Sequence, residues 1–162
     1  MGVAVIDVVA EDDRWTDLER LAARAIPAAL DGAGVGRDRE VAVLGCDDAR
    51  IAVLNAEFRG KAVPTNVLSW PSGDRAAAEP GGDPVPPEGP ELGDIAIAWE
   101  TCAREAAEQG KAFDAHVTHL LVHGVLHLLG YDHETDADAM RMESLEIRIV
   151  TGLGLPDPYG DD

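Results

Sequence analysis

Three histidines spaced H-x3-H-x5-H around a glycine, His123-Gly124-Val125-Leu126-His127-Leu128-Leu129-Gly130-Tyr131-Asp132-His133, constrain this chain more tightly than any other stretch of it. On an α-helix, residues four apart differ by about 40° in azimuth and about 6 Å in rise, so His123 and His127 point the same way. Gly130 can take the left-handed conformation that ends a helix without a Cβ penalty, and the chain can then turn back to bring His133 to the same place. The pattern demands a helix, a sharp stop and a return, with a metal site at the helix's C-terminal end. Three protein ligands leave a fourth position open, whereas structural zinc sites are usually closed by four. An open site lowers the pKa of a bound water towards about 7 and makes it a nucleophile. The spacing predicts one Zn2+ on His123, His127 and His133, and a metal-dependent hydrolase.

The residue after the first histidine narrows the class. In H-E-x-x-H metalloproteases a glutamate there polarises the water, but this chain carries Gly124. The ordinary zinc-protease mechanism lacks its base.

The 162 residues fit one domain spanning 1–162, and 46% hydrophobic residues suffice for a sizeable core. The apolar start at Met1 lacks a basic leader, and no run approaches the roughly 20 apolar residues that span a bilayer. Cys46 and Cys102 are too few for a disulfide framework and read as reduced, buried thiols. A soluble, cytoplasmic protein without a membrane partner is expected. The formal charge of −18, from 31 acidic against 13 basic residues, repels polyanions and argues against general nucleic-acid affinity. It leaves a local site open, because screening confines surface charge to roughly 8 Å and a metal inverts the local potential.

Along the chain, Val3 to Val9 reads as a buried strand and Thr16 to Leu30 as a helix. Glu40 to Leu44 and a helix bearing Ile51, Leu54 and Phe58 repeat that unit, with Asp47 or Asp48 as cap. Prolines bracket Pro64 to Pro71 and make its short strand an edge. Residues 72–90, rich in Pro, Gly and acid, read as a flexible loop, disordered in the free protein. Leu92 to Trp99 is a fourth strand, hairpin-paired with the third, and Glu100 to Gln109 a helix that Gly110 ends. Asp114 is the expected N-cap of a buried helix from Ala115 to Leu129. His116 and His119 share the ligand stripe, either lining the approach to the metal or hydrogen-bonded within the helical layer. A last helix runs from Asp136 to Val150, and Gly152 to Asp162 is a tail.

With these residues in view the chain resembles the YbeY family, bacterial single-strand-specific endoribonucleases of ribosomal RNA maturation. His123 to His133 carries the family's signature, Leu54-Asn55, Phe58-Arg59 and Pro64-Thr65-Asn66-Val67-Leu68-Ser69-Trp70-Pro71 resemble its central block, and Gly93-Asp94-Ile95 a third. The resemblance implies an α+β single domain, a four-stranded mixed sheet packed with about five helices. It implies a zinc-dependent endoribonuclease acting in 16S ribosomal RNA 3′-end maturation and ribosome quality control. Single-stranded RNA or rRNA, and the ribosome or a basic ribosomal protein, are the partners implied. Gly60-Lys61-Ala62-Val63 lacks an acidic residue common before that proline, and Trp70 stands where Phe is more usual.

Arg59 is the candidate catalytic residue, because a guanidinium pairs two phosphate oxygens and stays charged at any working pH. Without the resemblance it would read as a surface arginine favourable to a helix C-terminus. Asp132 is expected to form the turn after Gly130, and Asp94 is open between partner of a ligand and ordinary strand residue. Two rivals remain: a zinc peptidase, which Gly124 opposes, and a non-catalytic ribosome-assembly factor with a structural zinc, which the acidity suits.

Overall fold

The computed structural model describes residues 2–160; Met1 and the last two residues of the expected tail, Asp161 and Asp162, lie outside the described residues. The element order is β1 (Val5–Ala10), α1 (Leu18–Ala33), β2 (Glu40–Cys46), α2 (Asp48–Arg59), β3 (Val67–Pro71), β4 (Glu91–Ala98), α3 (Trp99–Gln109), α4 (Phe113–Leu128) and α5 (Asp136–Gly152). The strands lie in the order β1-β2-β4-β3, with β1, β2 and β4 parallel and β3 antiparallel to β4. Parallel neighbours need a long crossover, which the two opening strand-helix units supply. The fold is α+β with a mixed four-stranded sheet and five helices, as expected.

Layering follows from which face each strand offers. One face meets α1, α4 and α5 in the main core, where Leu21, Ile26, Val43, Ile95, Ile97, Leu121, Val125 and Leu126 are buried. The other face carries a smaller cluster of Ile51, Leu68, Ala96 and Ala98 under α2. Full burial of an aliphatic side chain contributes about 1.5–3 kcal/mol, so the helix that crosses the main core is firmly fixed. That helix is α4, buried along most of its length as its apolar sequence demands.

Three local expectations need correction. β1 is an edge strand rather than a buried one, with Val5 48% and Val9 60% exposed. A run of β-branched residues reports strand, not position in the sheet. The N-cap of α4 is Ala112, not Asp114, because the helix begins at Phe113; Asp114 sits in its first turn and pairs with Arg20. Phe58 does not join the α2 core face with Ile51; it is 45% exposed. The Asp47 cap, by contrast, is formed, its side chain accepting from the Arg50 amide at 2.7 Å.

The 72–90 segment has no helix or strand but is pinned to the body. Arg75, nearly buried, donates to the Leu128 carbonyl at 2.7 Å and to the Leu92 carbonyl at 3.3 Å. It so supplies a cation and donors at the C-terminus of α4, where orphan carbonyls and the helix dipole favour both. Farther along, the Gly81 amide donates to Asp138, and Arg141 reaches Asp83 and the Gly81 carbonyl. Among the described residues no helix is long and apolar enough to cross a membrane.

Candidate metal centre

The end of α4 decides the geometry. Leu129 closes the helix, Gly130 takes φ +104°, and a Cβ there would stand 2.2 Å from the Arg75 carbonyl oxygen. Both the conformation and the close approach need glycine. The chain then returns through Tyr131 and Asp132, whose side chain accepts from the Glu134 amide at 3.2 Å as a turn-former should. His133 arrives beside the helix. The ligand atoms of His123, His127 and His133 lie within 4.8 Å of one another, the sequence-predicted set brought together.

A carboxylate behind the triad sets the protonation pattern. Oε1 of Glu146, on α5 and fully buried, receives His119 Nε2 at 2.7 Å, His123 Nδ1 at 3.1 Å and the Tyr159 hydroxyl at 3.0 Å. An ionised carboxylate only accepts, so the proton of His123 sits on Nδ1 and the lone pair on Nε2 faces the cluster. Burial acts to raise the Glu146 carboxyl, but the hydrogen bonds from His119 and His123 outweigh it and hold it at about 2. Burial and the adjacent carboxylate push the Tyr159 hydroxyl up, keeping it a donor. Burial, then the neighbouring His123 and His133, push His127 down to about 3, so its imidazole is neutral at pH 7.

The donor set fits a divalent cation. His127 Nε2 and His123 Nε2 stand 2.9 Å apart, a distance at which two lone pairs repel unless a proton or a cation lies between them. Three imidazoles, one of them backed by a carboxylate, match the ligands and outer support of nitrogen-ligated metal sites. Gly124 packs against β3 and β4: a Cβ there would start 3.0 Å from Ile95 Cδ1 and 3.3 Å from Ser69 Oγ. A glutamate at this position would run into the sheet.

The triad opens into a groove of about 640 Å³, walled by Phe58, Arg59, Asn66, Ser69 and the Tyr131–Glu134 turn. Arg59, the last residue of α2, faces it with no ion-pair partner among the described residues, and its guanidinium stands 6.0 Å from the Phe58 ring. His116 and His119 do not line the approach. Both are buried, His116 donating to Glu105 at 2.9 Å and His119 to Glu146, so they belong to the helical layer. Burial lowers His116, partly offset by Glu105. Asp94 is exposed on β4, paired in register with Trp70, away from the groove. Cys46 and Cys102 are free and buried; burial pushes Cys46 up to about 12 and raises Cys102.

Glu146 and Tyr159 were invisible to motif reasoning. One signal for Glu146 existed: it falls on the buried stripe of α5 formed by Met142, Leu145, Ile149 and Val150, where a carboxylate is costly unless paired.

The sequence model of the family described as Endoribonuclease YbeY matches residues 7–154. A protein of that name from Dinoroseobacter shibae is 57% identical, over 96% of this chain and 91% of its own. Another, from Paracoccus denitrificans, is 59% identical over 95% and 89%. The solution structure of a Thermotoga maritima protein superposes with a TM-score of 0.57 at 23% identity, covering 96% of this chain and 99% of that one, a likeness of fold.

Proposed function

Because the chain belongs to the Endoribonuclease YbeY family, we propose that it is a zinc-dependent endoribonuclease specific for single strands, acting in the cytoplasm in 16S ribosomal RNA 3′-end maturation and ribosome quality control. The observation that carries the reading is the convergence of three imidazoles at the floor of a groove whose wall holds an arginine without an acidic partner. His123, His127 and His133 would hold the ion, and zinc suits three imidazole nitrogens with a position left over. When bound, such an ion supplies Lewis-acid stabilisation of developing charge and activation of water.

The remaining work falls to the chain itself. Arg59 binds phosphate oxygens and offsets charge in the transition state, a role that its lack of a carboxylate partner leaves it free to take. Glu146 holds the Nδ1 proton of His123 and so fixes which nitrogen faces the groove. Asn66 and Ser69 offer polar groups along the wall, although Ser69 is engaged with the Gly124 carbonyl at 3.3 Å. A zinc peptidase would need a base after the first histidine, at a position the sheet fills. The acidic surface suits docking on a basic ribosomal protein, a role compatible with catalysis.

The test is cleavage of single-stranded RNA by metal-stripped and zinc-reconstituted protein. Zinc is expected to restore cleavage, and His127→Ala to abolish it while the fold and ribosome association persist. Equal cleavage with and without metal overturns the reading. A 2′,3′-cyclic phosphate on the product would identify the ribose hydroxyl, not water, as first nucleophile.

A further inference from the structure

The distribution of positive charge in so acidic a protein is uneven. Of 13 lysines and arginines, nearly all are occupied, as Arg14 is by Asp12, Arg37 by Asp31, Arg75 by main-chain carbonyls and Lys111 by the Pro158 carbonyl. The rest are tied in the same two ways, to carboxylates or to carbonyls. Among the described residues, two cationic side chains have neither kind of partner: Arg59 and Lys61, two positions apart across the Gly60 turn that ends α2.

Beside them stands an aromatic ring that the core does not use. Phe58 is 45% exposed and forms part of the groove wall, with Trp70 of β3 behind it at 5.2 Å between ring centroids. The buried faces of α2 are served by Ile51 and Asn55, two turns and one turn earlier. A large ring held half in water against a second aromatic, next to free cations and open to the groove, matches the combination that binds single strands: a π-face for a base and positive groups for the backbone.

We infer that the exposed face of Phe58 is a stacking site for an unpaired nucleobase adjacent to the cleaved bond, with Arg59 and Lys61 on the neighbouring phosphates. The inference rests on the endoribonuclease reading and deepens it, since a base held in a duplex cannot leave its stack at no cost to cover the ring. Preference for single strands then resides in Phe58. In a chain of net charge −18, Arg59 and Lys61 are the cations that no carboxylate or carbonyl among the described residues occupies, and phosphates would meet them at this stretch.

The test measures binding of the full chain to a short single-stranded oligoribonucleotide and to its duplex, in chelator so that the strands stay whole. Phe58→Ala is expected to weaken single-strand binding roughly tenfold to a hundredfold, the range of one base–aromatic stack, with little change for the duplex, and Phe58→Trp to restore it. Walking one abasic residue along the strand should find a position that costs wild type as much and Phe58→Ala nothing further. Binding of Phe58→Ala equal to wild type, equal losses on strand and duplex, or additive losses at every abasic position overturn the inference. Should Phe58→Ala fail to fold, the abasic walk on wild type decides, and a walk without any sensitive position overturns it. Wild type that cleaves RNA while Phe58→Ala binds unchanged removes the stacking site alone; wild type that binds unstructured peptides and neither binds nor cleaves RNA removes the nuclease reading with it.

Discussion

The two halves of α4 carry the same residue type on the same stripe to opposite ends. In the N-terminal half, His116 and His119 are buried and each donates to a carboxylate, Glu105 or Glu146. In the C-terminal half, His123 and His127 turn lone pairs towards each other and towards His133 over an open groove. What differs is the neighbour: α3 and α5 close over the first pair, whereas the Gly130 turn leaves the second pair facing solvent and a third imidazole. His116 and His119 each keep a buried Nδ1 without a partner among the described residues as well, so what makes a ligand here is the convergence of three ring nitrogens on one open place rather than an untaken nitrogen alone.

The sharpest way to break that contrast is His127→Ala, expected to lose the ion and, with it, several kcal/mol of transition-state stabilisation, about a thousandfold in cleavage. His116→Ala should leave the rate within about tenfold, measured on the same RNA. Acid is the next largest perturbation. Folded His127 resists protonation down to about 3, whereas its ordinary value is 6.5. Between these values the unfolded chain binds the extra proton, so stability of the metal-free protein falls as pH drops through this window, by on the order of a few kcal/mol. Thermal melting against pH checks it; a flat profile from pH 6.5 to 3 would contradict a His127 held neutral by burial.

Glu146→Gln probes the one carboxylate that touches both halves. It is expected to weaken metal binding about tenfold to a hundredfold by releasing the His123 tautomer, read by competition with a chelator. Glu105→Gln, its counterpart on the closed pair, should leave metal affinity unchanged and cost about 1 kcal/mol of stability. Equal effects of the two on metal binding would erase the distinction between the halves.

The triad was legible in sequence because its ligands sit within eleven residues, where helical geometry and one glycine determine their placement. The fold class came from the same local periodicities and from the resemblance to a family. Glu146, Tyr159 and Arg75 were not legible, since each acts through a contact across the fold: Tyr159 from the tail, Arg75 from a segment whose composition reads only as loop. The exposure of β1 was missed for the same reason, because which strand ends a sheet is settled by the order β1-β2-β4-β3 and not by its residues. Phe58 falls on the helical face expected of a core residue, yet it lies on the groove wall against Trp70, a contact across the fold that its spacing does not report.

The central claim is an open three-histidine cation site, and X-ray absorption spectroscopy of zinc-reconstituted protein, with the metal counted on the same sample, tests it most directly. One ion per chain with three imidazole nitrogens and a light non-protein atom at the remaining position is the predicted result. A fourth protein ligand, or no ion retained by the wild type, would contradict it.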